Sequence, residues 1–167
     1  TLTSAPALVA SASTSNTCPD ASTGSIDLSA VGGMGCQGYT YIWGAPISST
    51  NEDLTGLAAG TYTVTVTDGG GCTTVHTTTV AAFPAPNPSI SVLGNTLTSM
   101  QTWASYQWLL NGNPITGATS STYSASQTGV YSLQVTDANG CIGVSNTITL
   151  TVVGLEDALS GNMDLSI

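Results

Sequence analysis

Two stretches of this chain repeat one another. Residues 56–72 read GLAAGTYTVTVTDGGGC and residues 129–141 read GVYSLQVTDANGC, with the closing cysteines Cys72 and Cys141 set 69 residues apart. In the first stretch Tyr62, Val64 and Val66 alternate with Thr61, Thr63, Thr65 and Thr67. A period of two is the pattern of a strand with one buried face and one wetted face. Each stretch then runs through an aspartate, Asp68 or Asp137, into a glycine-bearing hairpin-type turn. One unit written twice in 167 residues limits the chain to two small β domains.

The rest of the chain fits that plan. Residues 25–31 alternate apolar with polar, residues 39–43 (YTYIW) form an aromatic strand carrying Trp43, and residues 73–80 close the first unit. The lead, residues 1–17, suits either a first strand or an extended arm. Three prolines in residues 83–88 (FPAPNP) predict an extended, semi-rigid linker. Short strands then recur at residues 89–93, 96–99, 106–110 (with Trp108), 121–125 and 142–153. Turn signals every 8–12 residues without helical periodicity predict an all-β protein of two tandem antiparallel Ig-like β-sandwich domains. The expected division is 1–82 for the first sandwich with its N-terminal arm, 83–88 for the linker, 89–153 for the second sandwich and 154–167 for a C-terminal tail. That tail carries Leu155, Leu159, Met163, Leu165 and Ile167, and reads as a docking segment.

Charge narrows the function. The chain has no Lys or Arg and nine acidic residues, a net charge of −9. Nucleic-acid binding requires cations against phosphates, as does binding to anionic membrane surfaces, and a phosphate loop requires its lysine. No apolar run approaches the ~20 residues of a helical membrane span. Residues 89–153 contain Asp137 as their single charged residue. Domains that stand alone in water keep a well-charged surface, so a surface this neutral is expected either to be covered or to be Ser/Thr-rich and hydrated without charge.

The chemistry-bearing residues are few. His76, the one histidine, lies in a threonine-rich strand with no nucleophile motif beside it, and no enzyme is predicted. Asp68 and Asp137 are expected to bond their own turn backbones. Asp20, Asp27, Glu52 or Asp53 with Asp68 are the candidate calcium ligands, without the spacing of a known calcium loop, so no cofactor is predicted. Trp43 and Trp108 read as core residues, whereas Trp103, off the strand register, is the candidate exposed contact for a glycan.

TCPDASTGSIDLSAVGG (17–33), YTYIW (39–43) and LTGLAAGTYTVTVTDGGGC (54–72) closely resemble the SprB-type repeat of gliding-motility adhesins and related Bacteroidota surface proteins. The resemblance covers roughly residues 8–82, and the chain departs from it at Cys36, where GGMGCQG replaces a cysteine-free loop. The second unit resembles the Ig-like modules that follow such repeats, and residues 153–167 resemble the approach to a type IX secretion sorting domain. The resemblance implies a non-enzymatic, secreted, cell-surface protein, and it implies a Cys18–Cys72 disulfide. Cys36 and Cys141 then remain, the second unit having no other cysteine, and pair if at all within or between chains. The combined expectation is an extracellular structural protein, a subunit of a cell-surface filament that homopolymerises through its N-terminal arm and the 154–167 tail. The alternative is a monomeric adhesin or glycan-binding module that meets a glycan or a host or prey surface.

Overall fold

The structure is a computed structural model describing residues 5–33 and 38–152. It divides into two compact units, Thr1–Pro84 and Ala85–Ile167, with the boundary inside the predicted linker.

In the first unit, β1 (Val9–Ser15), β2 (Gly24–Val31) and β4 (Leu54–Leu57) form one antiparallel sheet in the order β1-β2-β4. β3 (Tyr39–Trp43), β5 (Gly60–Asp68) and β6 (Thr73–Val80) form the other, in the order β3-β5-β6. The alternation read in β5 is what joins them: Tyr62, Val64 and Val66 point inward and meet Ile26, Leu28, Leu54 and Leu57 of the opposite sheet, with Trp43 and Val80 completing the core. The polar tips of the buried aromatics find backbone partners. Trp43 Nε1 donates to the Asn51 carbonyl at 2.8 Å and the Tyr62 hydroxyl to the Ala58 carbonyl at 2.8 Å.

The second unit repeats the arrangement. β7 (Ile90–Leu93), β8 (Thr96–Ser99) and β11 (Thr122–Ser124) pair in the order β11-β8-β7. β9 (Ser105–Leu110), β10 (Asn113–Pro114), β12 (Gly129–Thr136) and β13 (Ile142–Val144) form the facing sheet, and β14 (Ile148–Leu150) pairs with the start of β12. Trp108, Tyr131, Leu133 and Val135 from one sheet pack on Ile90 and Leu97 from the other. The Tyr131 hydroxyl donates to the Gln127 carbonyl, four residues upstream, as Tyr62 does to Ala58. Such a tyrosine corner is a mark of Ig-type sandwiches. β9 turns into β10 through Asn111-Gly112, both at positive φ (50° and 79°), the geometry a two-residue hairpin demands. Where β13 gives way to β14, Ser145 bridges the gap. Its backbone N–H donates to the Leu133 carbonyl and its hydroxyl accepts from the Leu133 N–H.

The N-terminal lead resolves as a strand of its own sheet. β1 pairs with β2 from Val9↔Val31 to Ser15↔Ser25, and Pro6 accepts from the Gly33 N–H at 2.8 Å. From Pro6 onward the backbone partners of this arm lie in its own unit. The predicted linker is anchored as well. Phe83 donates to the Thr17 carbonyl, and Pro86 lies so close over Gly143 that a Cβ there would strike its carbonyl. The 154–167 tail lies outside the described residues.

Leu97 is fully buried and Leu93 is 86% exposed. Leu97→Ala is expected to destabilise the second unit by about 2–5 kcal/mol while Leu93→Ala changes it little, as denaturant unfolding would show.

Candidate functional site

The two aspartate turns have the same hydrogen bonds. Asp68 Oδ1 accepts from the Gly70 and Cys72 N–H groups at 2.9 and 2.8 Å, and Asp137 Oδ1 accepts from Asn139 and Cys141 at the same distances. Both side chains therefore act as Asx-type turn caps. The other candidate calcium ligands are also engaged or scattered. Asp53 accepts from the Leu28 N–H, Glu52 accepts from the Tyr41 hydroxyl at 2.7 Å, and Asp27 faces outward on β2. Among the described residues no three His, Cys, Asp or Glu side chains gather at one point. His76 is half-buried on β6 opposite Val64.

The cysteines depart from the expected pairing. Cys18 and Cys141 are each engaged in a disulfide, whereas Cys72 is a free, exposed thiol. The Cys18–Cys72 bridge is not formed, and topology gives the reason. Thr17, next to Cys18, bridges in parallel to Ala82 just beyond the C-terminal end of β6, while Cys72 immediately precedes the N-terminal end of that strand. A strand of 8 residues lies between them, roughly 26 Å, against the ~7 Å that a disulfide can span between Cα atoms. Cys36, the other cysteine expected to pair with Cys141, lies outside the described residues.

Trp103 is not an outward platform. It packs half-buried against the second core, its backbone N–H donates to the Tyr106 hydroxyl at 3.0 Å, and its indole Nε1 is buried without a hydrogen-bond partner. Trp43 and Trp108 are core residues, as their strands imply. An aromatic that does reach a concave surface is Tyr123 of β11, which stacks on Trp108 with ring centroids 6.2 Å apart. Tyr123 helps to line an open cleft of about 290 Å³ with Ile115, Thr116, Ser120 and Ser124. The cleft offers hydroxyls and no charge. Sequence reasoning passed over it because Tyr123 lies in a three-residue strand too short to show a period.

The most regular exposed surface is the outer face of β3-β5-β6. The register places Thr40, Thr67 and Thr73 in one row and Ile42, Thr65 and Val75 in the next. Further along, Thr63 faces Thr77 with hydroxyl oxygens 3.0 Å apart, and Thr61 faces Thr79 at 3.4 Å. Ile42 and Val75 are 62% and 65% exposed. Among the described residues no charged residue lies on this face. The acids of the unit lie elsewhere: Asp20 between β1 and β2, Asp27 on the outside of β2, Glu52 and Asp53 just before β4, and Asp68 buried at its turn.

No family model matches the chain, and no curated protein matches it. Among solved structures, murine CEACAM1b overlaps 87% of this chain and 100% of its own at 16% identity and a TM-score of 0.38. SGBP-B of the Bacteroides ovatus mixed-linkage glucan utilization locus, solved in complex with a mixed-linkage heptasaccharide, overlaps 82% of this chain at 20% identity and a TM-score of 0.30. This chain spans 42% of that protein. Neither overlap carries an argument about function, and the sandwich assignment rests on the sheets and cores described above.

In the native protein Cys72 is expected to react with a maleimide, while Cys141, 1% exposed and bonded, should react only after reduction and unfolding; peptide mapping distinguishes them. Burial first, and then its bond to Glu52, pushes the Tyr41 hydroxyl up from 10.0 to about 12. The folded state thus holds this proton more tightly than the unfolded chain. The associated stability is fully present below pH 10 and is lost as pH rises through about 12. Tyr41→Phe should flatten that alkaline loss in the first unit, followed by unfolding at stepped pH.

Proposed function

We propose that this protein is a non-enzymatic extracellular structural protein, a subunit of a cell-surface filament. The observation that carries the reading is the surface of the second unit. Asp137 is the only charged residue in 89–153, and Ile142 and Val144, two apart on β13 and so on one face, are 63% and 55% exposed. Exposed apolar surface without surrounding charge marks a contact with another protein. The bonded Cys18 and Cys141 support an oxidising, extracellular setting. The described carboxylates Glu52, Asp53, Asp68 and Asp137 hold strands and turns, which supports a role without catalysis.

The resemblance to SprB-type repeats, and export by a type IX route, belong to the same proposal. With β1 engaged in its own sheet, the apolar 154–167 segment is the remaining candidate for strand exchange between copies. The Tyr123 cleft favours a second reading, an adhesin module that takes a neutral glycan against an aromatic ring and hydroxyls.

Electron microscopy of the concentrated protein should show filaments. Monodisperse monomers, with glycan-array binding that is lost in Tyr123→Ala, would replace the filament by the adhesin.

A further inference from the structure

We propose that the Tyr123 cleft is a preformed site for roughly one or two uncharged pyranose rings. The proposal rests on the adhesin reading and names its ligand by size, charge and contact residues. It stands whether or not copies of the chain assemble into a filament.

The cleft is built on a fixed frame. Both backbone groups of Trp108 hold the segment that follows β10: its N–H donates to the Ala118 carbonyl and its carbonyl accepts from the Ile115 N–H, each at 2.9 Å. Two side chains of β9 tighten the grip. Gln107 Nε2 donates to the Ile115 carbonyl at 2.8 Å, and Trp108 Nε1 donates to the Ser120 carbonyl at 2.9 Å. The other lining element, β11, is paired with β8 from Thr122↔Thr98 to Ser124↔Thr96. Tyr123 is seated on Trp108 and its ring lies 6.0 Å from that of Tyr131, so its plane is held. At Gly117 an added Cβ would meet nothing within 4 Å, so the cleft is open there. A site already ordered in this way loses little freedom when a ligand enters.

The lining selects the ligand. Among the described residues the hydroxyls of Thr116, Ser120, Thr122, Tyr123 and Ser124 have no hydrogen-bond partner in the protein. Elsewhere in the unit Ser89, Ser99, Thr128 and Ser145 use theirs on protein groups. A wholly apolar ligand would strip water from the cleft hydroxyls and return no hydrogen bond. An anion would find no cation in a chain of net charge −9. A cation would find no carboxylate in the cleft, because Asp137 is the only acid of residues 89–153 and is engaged at its own turn. What remains is an uncharged molecule with an apolar face for the Tyr123 ring and a rim of groups that both donate and accept. A pyranose is such a molecule, with C–H bonds on one face and hydroxyls around its edge. The volume of about 290 Å³ lies just below the ~300–1,000 Å³ of drug-sized sites, which suits a chain end or a short segment.

The test uses the whole chain and simple probes. In saturation-transfer NMR, methyl β-glucoside or methyl β-galactoside should receive signal at its ring C–H protons, while methyl β-glucuronide should receive little. Thr122→Val with Ser124→Ala removes two exposed hydroxyls and keeps the strand, and should weaken binding of the neutral glycoside by about tenfold. Tyr123→Phe should retain the signal and Tyr123→Ala should abolish it; the hydroxyl variant decides the matter if Tyr123→Ala does not fold. Saccharide binding that is unchanged in the hydroxyl variant would overturn the cleft and keep the adhesin. If no saccharide binds, by NMR or on a glycan array, the cleft and the adhesin both fall and the filament is untouched. Transfer to the glucuronide as strong as to the neutral glycosides would overturn the proposal. So would an uncharged proline-rich peptide that binds in their place and is lost in Tyr123→Ala.

Discussion

In each unit one carboxylate oxygen takes two backbone N–H groups and so fixes the turn that closes the central hairpin. Asp68 holds Gly70 and Cys72, and Asp137 holds Asn139 and Cys141. Because side chains alternate along a strand, a slip of one residue past such a turn would exchange the two faces of the strand. Tyr62, Val64 and Val66 would then meet water while a row of threonines entered the core. The carboxylate therefore acts well beyond its own loop. It sets the register that keeps the first core apolar, and the same logic orders Tyr131, Leu133 and Val135 in the second.

The same alternation makes the outside of the first unit what it is. A strand that reads Thr-Tyr-Thr-Val-Thr-Val-Thr must present threonine on one face if it buries the others, and β6 adds Thr73, Val75, Thr77 and Thr79 opposite. With no cation in the chain, the surface has two kinds of region, acidic and neutral. Where the acids gather near β2 and β4, their neighbours are backbone N–H groups and a tyrosine hydroxyl.

The strands, the tryptophan cores and the aspartate turns were legible because each is a local pattern of period, spacing or turn chemistry. What the sequence hid was long-range. The path of β1 alongside β6 decides which end of β6 lies near Cys18, and no short window contains that information. The pairing implied by resemblance accordingly gave Cys18 the wrong partner. Trp103 was misread for a related reason. It lies outside any strand, so periodicity assigns it no face, and only the packed core shows that its ring turns inward. Tyr123 escaped notice because its surroundings are assembled from loop residues between β10 and β11.

The parallel bridge between Thr17 and Ala82 has a mechanical consequence. Thr17 donates to Ala81 and accepts from Phe83, so the end of the first strand segment is tied beside the chain's exit from the unit. A pull between the start of β1 and Phe83 runs along these strands, with the connecting hydrogen bonds lying across the line of force. They are then loaded together in shear instead of being peeled open one at a time. A unit built in this way suits a chain that must bear tension.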